Sequence, residues 1–195
     1  MRREPSIAGS GLGQGHGGEE PKRCPFCHAL ACGVRAGEAA MTRELAHGTC
    51  VALGTSAVLL RGGSGSGKSD LALRFLALPE EDGLRSRLVA DDQVWIEARD
   101  QGVIVTTPKA LAGLIEVRGL GIKRVPFLGT AQLVLICDLL AADRVPRMPP
   151  DPWERTVLAG VEIPTLKFSP FEASAPLKLR MALLNATAPL RAQEQ

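Results

Sequence analysis

Gly62-Gly63-Ser64-Gly65-Ser66-Gly67-Lys68-Ser69 is the stretch of this sequence that decides its fold. The short apolar run of residues 57–60 precedes it. In the segment that follows, Leu71, Phe75 and Leu78 recur at helical spacing. The pattern Gly-x-x-x-x-Gly-Lys-Ser between a strand and a helix is the Walker A motif, which binds phosphate groups. The sequence therefore predicts an α/β domain with a phosphate-binding loop.

Each residue type in this loop serves phosphate binding. Glycines allow backbone conformations that turn N–H groups toward phosphate oxygens, and the start of the following helix adds the positive end of its dipole. The Lys68 ammonium can reach the β- and γ-phosphates, and the Ser69 hydroxyl can bind Mg²⁺. We therefore expect ATP and Mg²⁺ as cofactors. The expected nucleotide-binding residues are Gly62, Gly63, Ser64, Gly65, Ser66, Gly67, Lys68 and Ser69.

Two adjacent carboxylates, Asp91 and Asp92, follow the apolar run of residues 88–90. Phosphoryl transfer to a hydroxyl needs a group that accepts the hydroxyl proton and acidic groups that hold the metal ion. Adjacent side chains on a strand point to opposite faces, but at a strand end both can reach one site. We expect one carboxylate to face the metal ion and the other the substrate. The sequence leaves open which is which, and a solvated acidic turn is the alternative.

A further carboxylate, Glu116, lies between apolar Ile115 and Val117. A lone Glu in such a strand usually points to solvent. It gains interest because residues 118–121, Arg-Gly-Leu-Gly, follow it. The two glycines there allow the backbone to pass close to a ligand or a neighbouring chain.

The rest of the domain reads as short strands with few helices. The two expected hairpins are residues 49–53 with 57–60 and residues 94–96 with 103–105. Residues 132–137 have the pattern of a fully buried strand. Residues 161–168 are expected to form an edge strand, because Pro164 cannot donate a ladder hydrogen bond. A last helix should begin after Ser174 and extend to Asn185. This mixture indicates a mixed sheet and not a regular alternation of strand and helix.

Length and composition exclude several classes of protein. The chain has 195 residues and a formal net charge of +2, too mild a charge to indicate a nucleic-acid surface. No run approaches the ~18 apolar residues that span a bilayer, and the polar start of the chain does not resemble a signal peptide. We therefore expect a cytoplasmic protein without a membrane or nucleic-acid partner.

Residues 1–40 are expected to form a disordered tail, with the catalytic domain over residues 41–195. The tail holds eight of the 21 glycines and cannot bury enough apolar surface to offset its ordering entropy. Periodic apolar sequence begins just after Met41. We therefore expect Met41 as a candidate for the natural start of the chain, with the first 40 residues assigned to it by a start site placed too far upstream.

Four tail residues, Cys24, Cys27, His28 and Cys32, have part of the spacing of a tetrahedral zinc site. Cys27 and His28 are adjacent and awkward to aim at one ion, and no second C-x-x-C pair follows. We favour free thiols over a metal site. An odd total of five cysteines also argues against a disulfide framework.

Four pieces of sequence together resemble the catalytic domain of HPr kinase/phosphorylase, the bacterial enzyme that phosphorylates a serine of the phosphocarrier protein HPr in the phosphotransferase system. They are His47-Gly48, residues 62–69, residues 88–92 and residues 114–122. The last of these is the most specific. The resemblance covers most of the domain and lacks the family's separate N-terminal domain. It implies a phosphoenolpyruvate-carboxykinase-like P-loop fold, a homo-hexamer and a Mg-ATP-dependent protein-serine kinase acting on an HPr-like carrier.

The resemblance also implies roles for individual residues. Lys68 would bind and polarise the phosphates, and Ser69 and Glu116 would hold Mg²⁺. One of Asp91 and Asp92 would accept the serine proton, and His47 would pair with the acidic group. Arg155 stands where the family carries a catalytic arginine, which could neutralise charge on the transferring phosphoryl group; a surface salt bridge is the alternative.

One departure from the family concerns residues 168–174, where full-length members carry a basic, glycine-containing loop tied to dephosphorylation. Here the segment has Glu172 and neither arginine nor glycine. We therefore expect kinase rather than phosphorylase activity. Two other functions stay open: a small-molecule P-loop kinase, and a non-catalytic ATP sensor that works with a two-component histidine kinase.

Overall fold

The computed structural model describes residues 43–100 and 102–191. They belong to the second of two compact units, Ala39–Gln195. The predicted disordered tail and the candidate zinc ligands Cys24, Cys27, His28 and Cys32 lie outside the described residues.

The described part of the chain contains eleven β-strands and two α-helices. In order they are β1 (Arg43–His47), β2 (Thr49–Leu53), β3 (Ser56–Arg61), α1 (Lys68–Leu76), β4 (Ser86–Ala90), β5 (Gln93–Arg99), β6 (Gly102–Thr106), β7 (Leu114–Val117), β8 (Gly121–Arg124), β9 (Thr130–Leu139), β10 (Glu154–Leu158), β11 (Val161–Phe168) and α2 (Ala175–Arg191). Neither helix is long and apolar enough to cross a membrane.

Nine of the described strands form one mixed sheet around β9. Seven of them follow the order β1-β5-β6-β9-β3-β2-β4, and β11 and β10 extend it beside β9. β9 pairs in parallel with β3, antiparallel with β6 through its first residues and in parallel with β11 through its last. β7 and β8 form a separate two-stranded sheet. The predicted mixed sheet with hairpins and few helices is confirmed.

Local sequence accounts for the hairpins and for the buried central strand. β2 and β3 pair antiparallel across a two-residue turn in which Gly54 adopts φ +62°, a left-handed conformation that suits glycine. β5 and β6 form the second predicted hairpin. Residues 133–137 of β9 are buried, as their unbroken apolar pattern predicts.

The prediction that residues 161–168 form an edge strand is wrong. β11 lies between β10 and β9: Arg155 of β10 is opposite Pro164, and the parallel pairing with β9 begins only at Thr165. Pro164 therefore lies just before the stretch that needs donors toward β9. The proline limits the length of that pairing and does not prevent it.

Two further elements differ from the prediction. The glycine-rich residues that follow Glu116 form the turn of the β7–β8 hairpin, with Gly119 at φ +82° and Gly121 at φ +73°. The last helix begins directly after Ser174, as expected, but continues to Arg191, beyond the predicted end at Asn185. In these extra turns Ala186 packs against the core.

Both helices pack on one face of the sheet. The predicted apolar stripe of α1 supplies Leu71 and Phe75, both fully buried, and α2 supplies Leu179 and Leu183. This packing places the start of α1 directly beyond the end of β3. The phosphate-binding loop is thereby held between the central part of the sheet and its helical layer.

The loop between α1 and β4 is held by Arg180 of α2, whose side chain is only 8% exposed. Its guanidinium donates to the carbonyl oxygens of Pro79 and Glu81, at 2.9 and 3.3 Å, and pairs with the Glu81 carboxylate at 3.1 Å. The loop is therefore anchored away from the phosphate-binding loop.

We expect Arg180→Ala to lower the free energy of unfolding by about 2 kcal/mol, because hydrogen bonds made by a charged, buried donor are lost. The matched control is Arg85→Ala in the same loop. Arg85 is 63% exposed and pairs with Glu80 at 3.6 Å, so its loss should cost less than about 0.5 kcal/mol. Urea denaturation of both variants checks this, and equal effects would contradict it.

Candidate functional site

The loop between β3 and α1 has the backbone of a phosphate cradle. Gly65 and Gly67 adopt left-handed conformations, with φ of +75° and +86°. Gly67 is the N-cap of α1 and supplies no side-chain hydrogen bond to the helix, so the first N–H groups of the helix stay available to an anion. The Ser66 hydroxyl is buried without a hydrogen-bond partner among the described residues. These features fit bound phosphate.

Lys68 is folded back over the mouth of this loop. Its ammonium donates to the carbonyl oxygens of Gly62 and Gly63, at 2.8 and 2.9 Å. An ammonium carries three donors, so one remains for a phosphate oxygen in this position. The loop is also anchored at its start, where Arg61 makes a two-pronged ion pair with Asp138 of β9, at 2.7 and 2.9 Å.

Asp91 joins four elements at the end of β4 and is 8% exposed. Its Oδ1 accepts hydrogen bonds from the hydroxyls of Thr49 (2.7 Å) and Ser69 (3.0 Å). Its Oδ2 accepts the backbone N–H of Glu116 at 3.1 Å. The carboxylate therefore fixes the Walker serine and the start of the glycine-rich hairpin against β2.

Asp92 has a different environment from its neighbour. Its backbone is left-handed, with φ +72°, which Asp tolerates better than most residues, and its side chain is 71% exposed. Oδ1 lies 3.3 Å from Nδ1 of His47. The left-handed turn thus separates the two carboxylates: one is buried against the Walker serine, and the other stands open beside a histidine.

A cavity of about 950 Å³ joins these groups. Its polar lining includes the glycine-rich loop, Lys68, Ser69, Asp91, Asp92, His47, Glu116 and Arg118, and its apolar lining includes Leu73, Leu111, Leu114, Ile122 and Phe171. The structure therefore brings the predicted site residues together in the cavity lining except Gly63, whose carbonyl accepts from Lys68, and Arg155. That side chain is exposed on β10 and is not among the described residues that line the cavity. Its catalytic role stays a prediction.

Oxygen ligands suited to Mg²⁺ are present in this cavity. Ser69 and Asp91 are in contact. Glu116, whose backbone N–H bonds to Asp91, has an exposed side chain that lines the same cavity. Among the described residues no group of three or more His, Cys, Asp or Glu side chains is placed to hold a metal ion. Mg²⁺ usually takes one or two protein oxygens and completes its shell with phosphate and water. The donor set fits that mode of binding.

Two contributors to the site were missed in the sequence. Thr49 is the first residue of an otherwise apolar strand, and its polar side chain was the one sign in the sequence of a role in the site. Phe171 belongs to residues 168–174, the segment that departs from the family, and its ring lies against Gly67. Neither contact is visible from spacing, because Thr49 is 42 residues from Asp91.

The two described cysteines do not contribute reactive groups. Cys50 and Cys137 are fully buried, and burial raises the pKa of each thiol well above its usual range. Asp138, next to Cys137, adds to the effect by repelling a thiolate. Both thiols therefore stay protonated and act as small core residues.

Comparison with known proteins finds similar sequences and a similar fold. Residues 38–134 match the family model described as the HPr Serine kinase C-terminal domain. An HPr kinase/phosphorylase of Limosilactobacillus reuteri is 41% identical over 81 residues, which cover 41% of this chain and 23% of that protein. One from Streptococcus thermophilus is 33% identical over 135 residues, 64% of this chain and 42% of that protein. The chain thus spans about a quarter to two fifths of these relatives.

The structure of the Hpr(Ser) kinase/phosphatase from Coxiella burnetii has a similar fold. The match has a TM-score of 0.63 at 20% sequence identity and covers 77% of this chain and 94% of that one. It establishes the fold as that of a phosphoenolpyruvate-carboxykinase-like P-loop domain.

Proposed function

Because this chain belongs to the HPr kinase/phosphorylase family, we propose that it is a Mg-ATP-dependent protein-serine kinase that phosphorylates an HPr-like phosphocarrier. One observation carries the proposal. The Walker serine, Ser69, is hydrogen-bonded to buried Asp91, while Asp92 and His47 stand open to the same cavity. A phosphate site and an accessible carboxylate are thus adjacent, as transfer to a hydroxyl requires.

Nucleotide binding is assigned to the loop and Lys68. The free N–H groups at the start of α1 and the Ser66 hydroxyl offer donors to phosphate oxygens. The remaining ammonium donor of Lys68 adds a positive charge beside them. We assign the holding of Mg²⁺ to Ser69, Asp91 and Glu116. When bound, the ion would neutralise charge on the β- and γ-phosphate oxygens.

We assign Asp92 as the base. Asp91 is buried and already accepts hydrogen bonds from three donors. The Asp92 carboxylate is exposed, and its one partner among the described side chains is His47, at 3.3 Å. In the reaction the serine hydroxyl loses its proton to the Asp92 carboxylate as its oxygen bonds to the γ-phosphorus. The bond from that phosphorus to the β,γ-bridging oxygen breaks, and ADP leaves. His47 positions the carboxylate.

The remaining assignments extend this proposal. By similarity to the family the enzyme works in the cytoplasm as a homo-hexamer on a carrier of the bacterial phosphotransferase system. The Glu172 carboxylate, at the position of the family's basic loop, pairs with Lys178 of α2. Residues 168–174 contain no Lys or Arg that could replace the family's basic loop, which supports kinase activity without phosphorylase activity.

The test is a transfer assay with ATP labelled in the γ-phosphate, Mg²⁺ and an HPr-like carrier, with a carrier whose target serine is replaced by alanine as the control. Label on the serine that persists after ATP is removed and inorganic phosphate is added supports the full proposal. Release of the label as pyrophosphate overturns the inference from Glu172. ATP binding without any transfer favours the sensor, which would act with a histidine kinase.

A further inference from the structure

Phe171 is a large apolar side chain held in the open at the edge of the phosphate-binding loop. It is 68% exposed and lines the cavity. Its ring lies so close to Gly67 that a β-carbon added to that glycine would be 2.9 Å from Cε1 of the phenylalanine. The ring therefore stands next to the residue that begins α1, where the phosphates of a nucleotide are expected to lie.

The segment that carries Phe171 is fastened to α1. Arg74 donates to the carbonyl oxygen of Pro170 and, at 3.2 Å, to that of Glu172, on either side of Phe171. The guanidinium is itself held by Asp70 at 2.8 and 3.0 Å. Exposure of the ring is therefore enforced by hydrogen bonds on both flanking residues and is not the result of a loose loop.

The ring lies on a different side of α1 from the acidic pair. Ser69 points to Asp91, whereas Asp70, the next residue, points through Arg74 to the segment around Phe171. Successive helical residues are rotated by about 100°, which explains the separation. Leu73, 37% exposed, also lines the cavity one turn along the helix. Phe171 thus lines the cavity from a different side of α1 than the side on which Ser69 meets Asp91.

We infer that Phe171, supported by Arg74, is the platform on which the adenine base of ATP stacks. This inference rests on the proposed function. Every purine presents a flat apolar face, and an exposed aromatic ring is the side chain best matched to it. The ion pair between Asp70 and Arg74 balances the negative charge that would otherwise face the nucleotide at this position.

Comparing the affinities of two ligands distinguishes contacts with the base from contacts with the phosphates. Mg-ATP and magnesium tripolyphosphate are titrated by calorimetry into the wild-type chain, Phe171→Ala and Phe171→Trp. Val157→Ala on β10, which removes a 64% exposed apolar side chain outside the cavity, is the matched control. Phe171→Ala should weaken ATP about tenfold or more and leave tripolyphosphate within about twofold. Phe171→Trp should keep ATP affinity, and the control should change neither.

The results separate this inference from the proposed function. Equal weakening of both ligands by Phe171→Ala would mean that the ring shapes the loop and not the base site, and an unchanged ATP affinity would mean that the base lies elsewhere. Either result overturns the platform and leaves the kinase intact. If the folded wild-type chain binds neither ligand, the nucleotide site and with it the platform are refuted.

Discussion

Asp92→Asn is expected to lower the rate of phosphoryl transfer about 10²–10⁴-fold, the usual contribution of a positioned base. The amide cannot accept the serine proton, while its shape and exposure are those of the carboxylate. The nucleotide contacts of the loop and of Lys68 do not involve Asp92. ATP affinity should therefore change by less than about threefold. Single-turnover transfer with labelled ATP, alongside calorimetry, measures both quantities.

Asp143→Asn is the matched control for this variant, because Asp143 is exposed in a short 3₁₀ helix outside the cavity. It should transfer phosphate at the wild-type rate. A wild-type rate in Asp92→Asn would remove Asp92 as the base. If Asp91→Asn instead lost transfer while it still bound Mg-ATP normally, the two roles would be exchanged.

Asp91→Asn is expected to weaken both the site and the fold. Each oxygen of Asp91 faces a donor: Oδ1 faces the hydroxyls of Thr49 and Ser69, and Oδ2 faces the N–H of Glu116. The amide can turn its oxygen to the Glu116 N–H and its NH₂ group to the two hydroxyls, which accept as well as donate. Hydrogen bonds to a buried charged carboxylate are then replaced by weaker bonds to a neutral amide. We expect unfolding to be easier by about 1–3 kcal/mol and the Mg²⁺ dependence of ATP binding to be largely lost.

Urea denaturation and ATP titrations with and without Mg²⁺ measure these two effects. Two comparisons make the result specific. Asp92→Asn should leave the free energy of unfolding within about 0.5 kcal/mol, since its carboxylate is exposed. Thr49→Val removes a single donor and should retain transfer while losing about 1 kcal/mol of stability. An Asp91→Asn protein with wild-type stability and Mg²⁺ dependence would show that the carboxylate does not organise the site.

The features of the site behind these predictions differ in how well the sequence alone could predict them. The phosphate-binding loop was predictable because its functional groups are consecutive: the glycines, Lys68 and Ser69 act through local backbone geometry and a helix start. The hairpins were predictable for the same reason, since a two-residue turn such as the one at Gly54 joins strands that are neighbours in the chain. The buried pattern of β9 identified the central strand without identifying its partners.

The failures follow from partners that are distant in the chain. Pro164 marked β11 as an edge, but the strand meets β9 only from Thr165 onward, and pairing between distant strands is set by the whole sheet. The family resemblance placed Arg155 in the catalytic set; among the described residues its side chain does not line the cavity, and its catalytic role stays a prediction. A motif spread over a proline-rich connection carries little information about where its residues lie.

Local sequence thus accounts for the chemistry that this protein has available, namely a phosphate cradle, a lysine, a serine hydroxyl and three carboxylates. Only the tertiary structure gives these groups the different environments that distinguish their roles. The left-handed turn at Asp92 and the donors that converge on Asp91 give two identical side chains different environments. Arg74 holds the segment of Phe171 at the loop, although Arg74 and Glu172 are 98 residues apart in the chain. The physical reason is that burial and hydrogen bonding arise from segments far apart in the chain, whereas a phosphate-binding turn is built from neighbours.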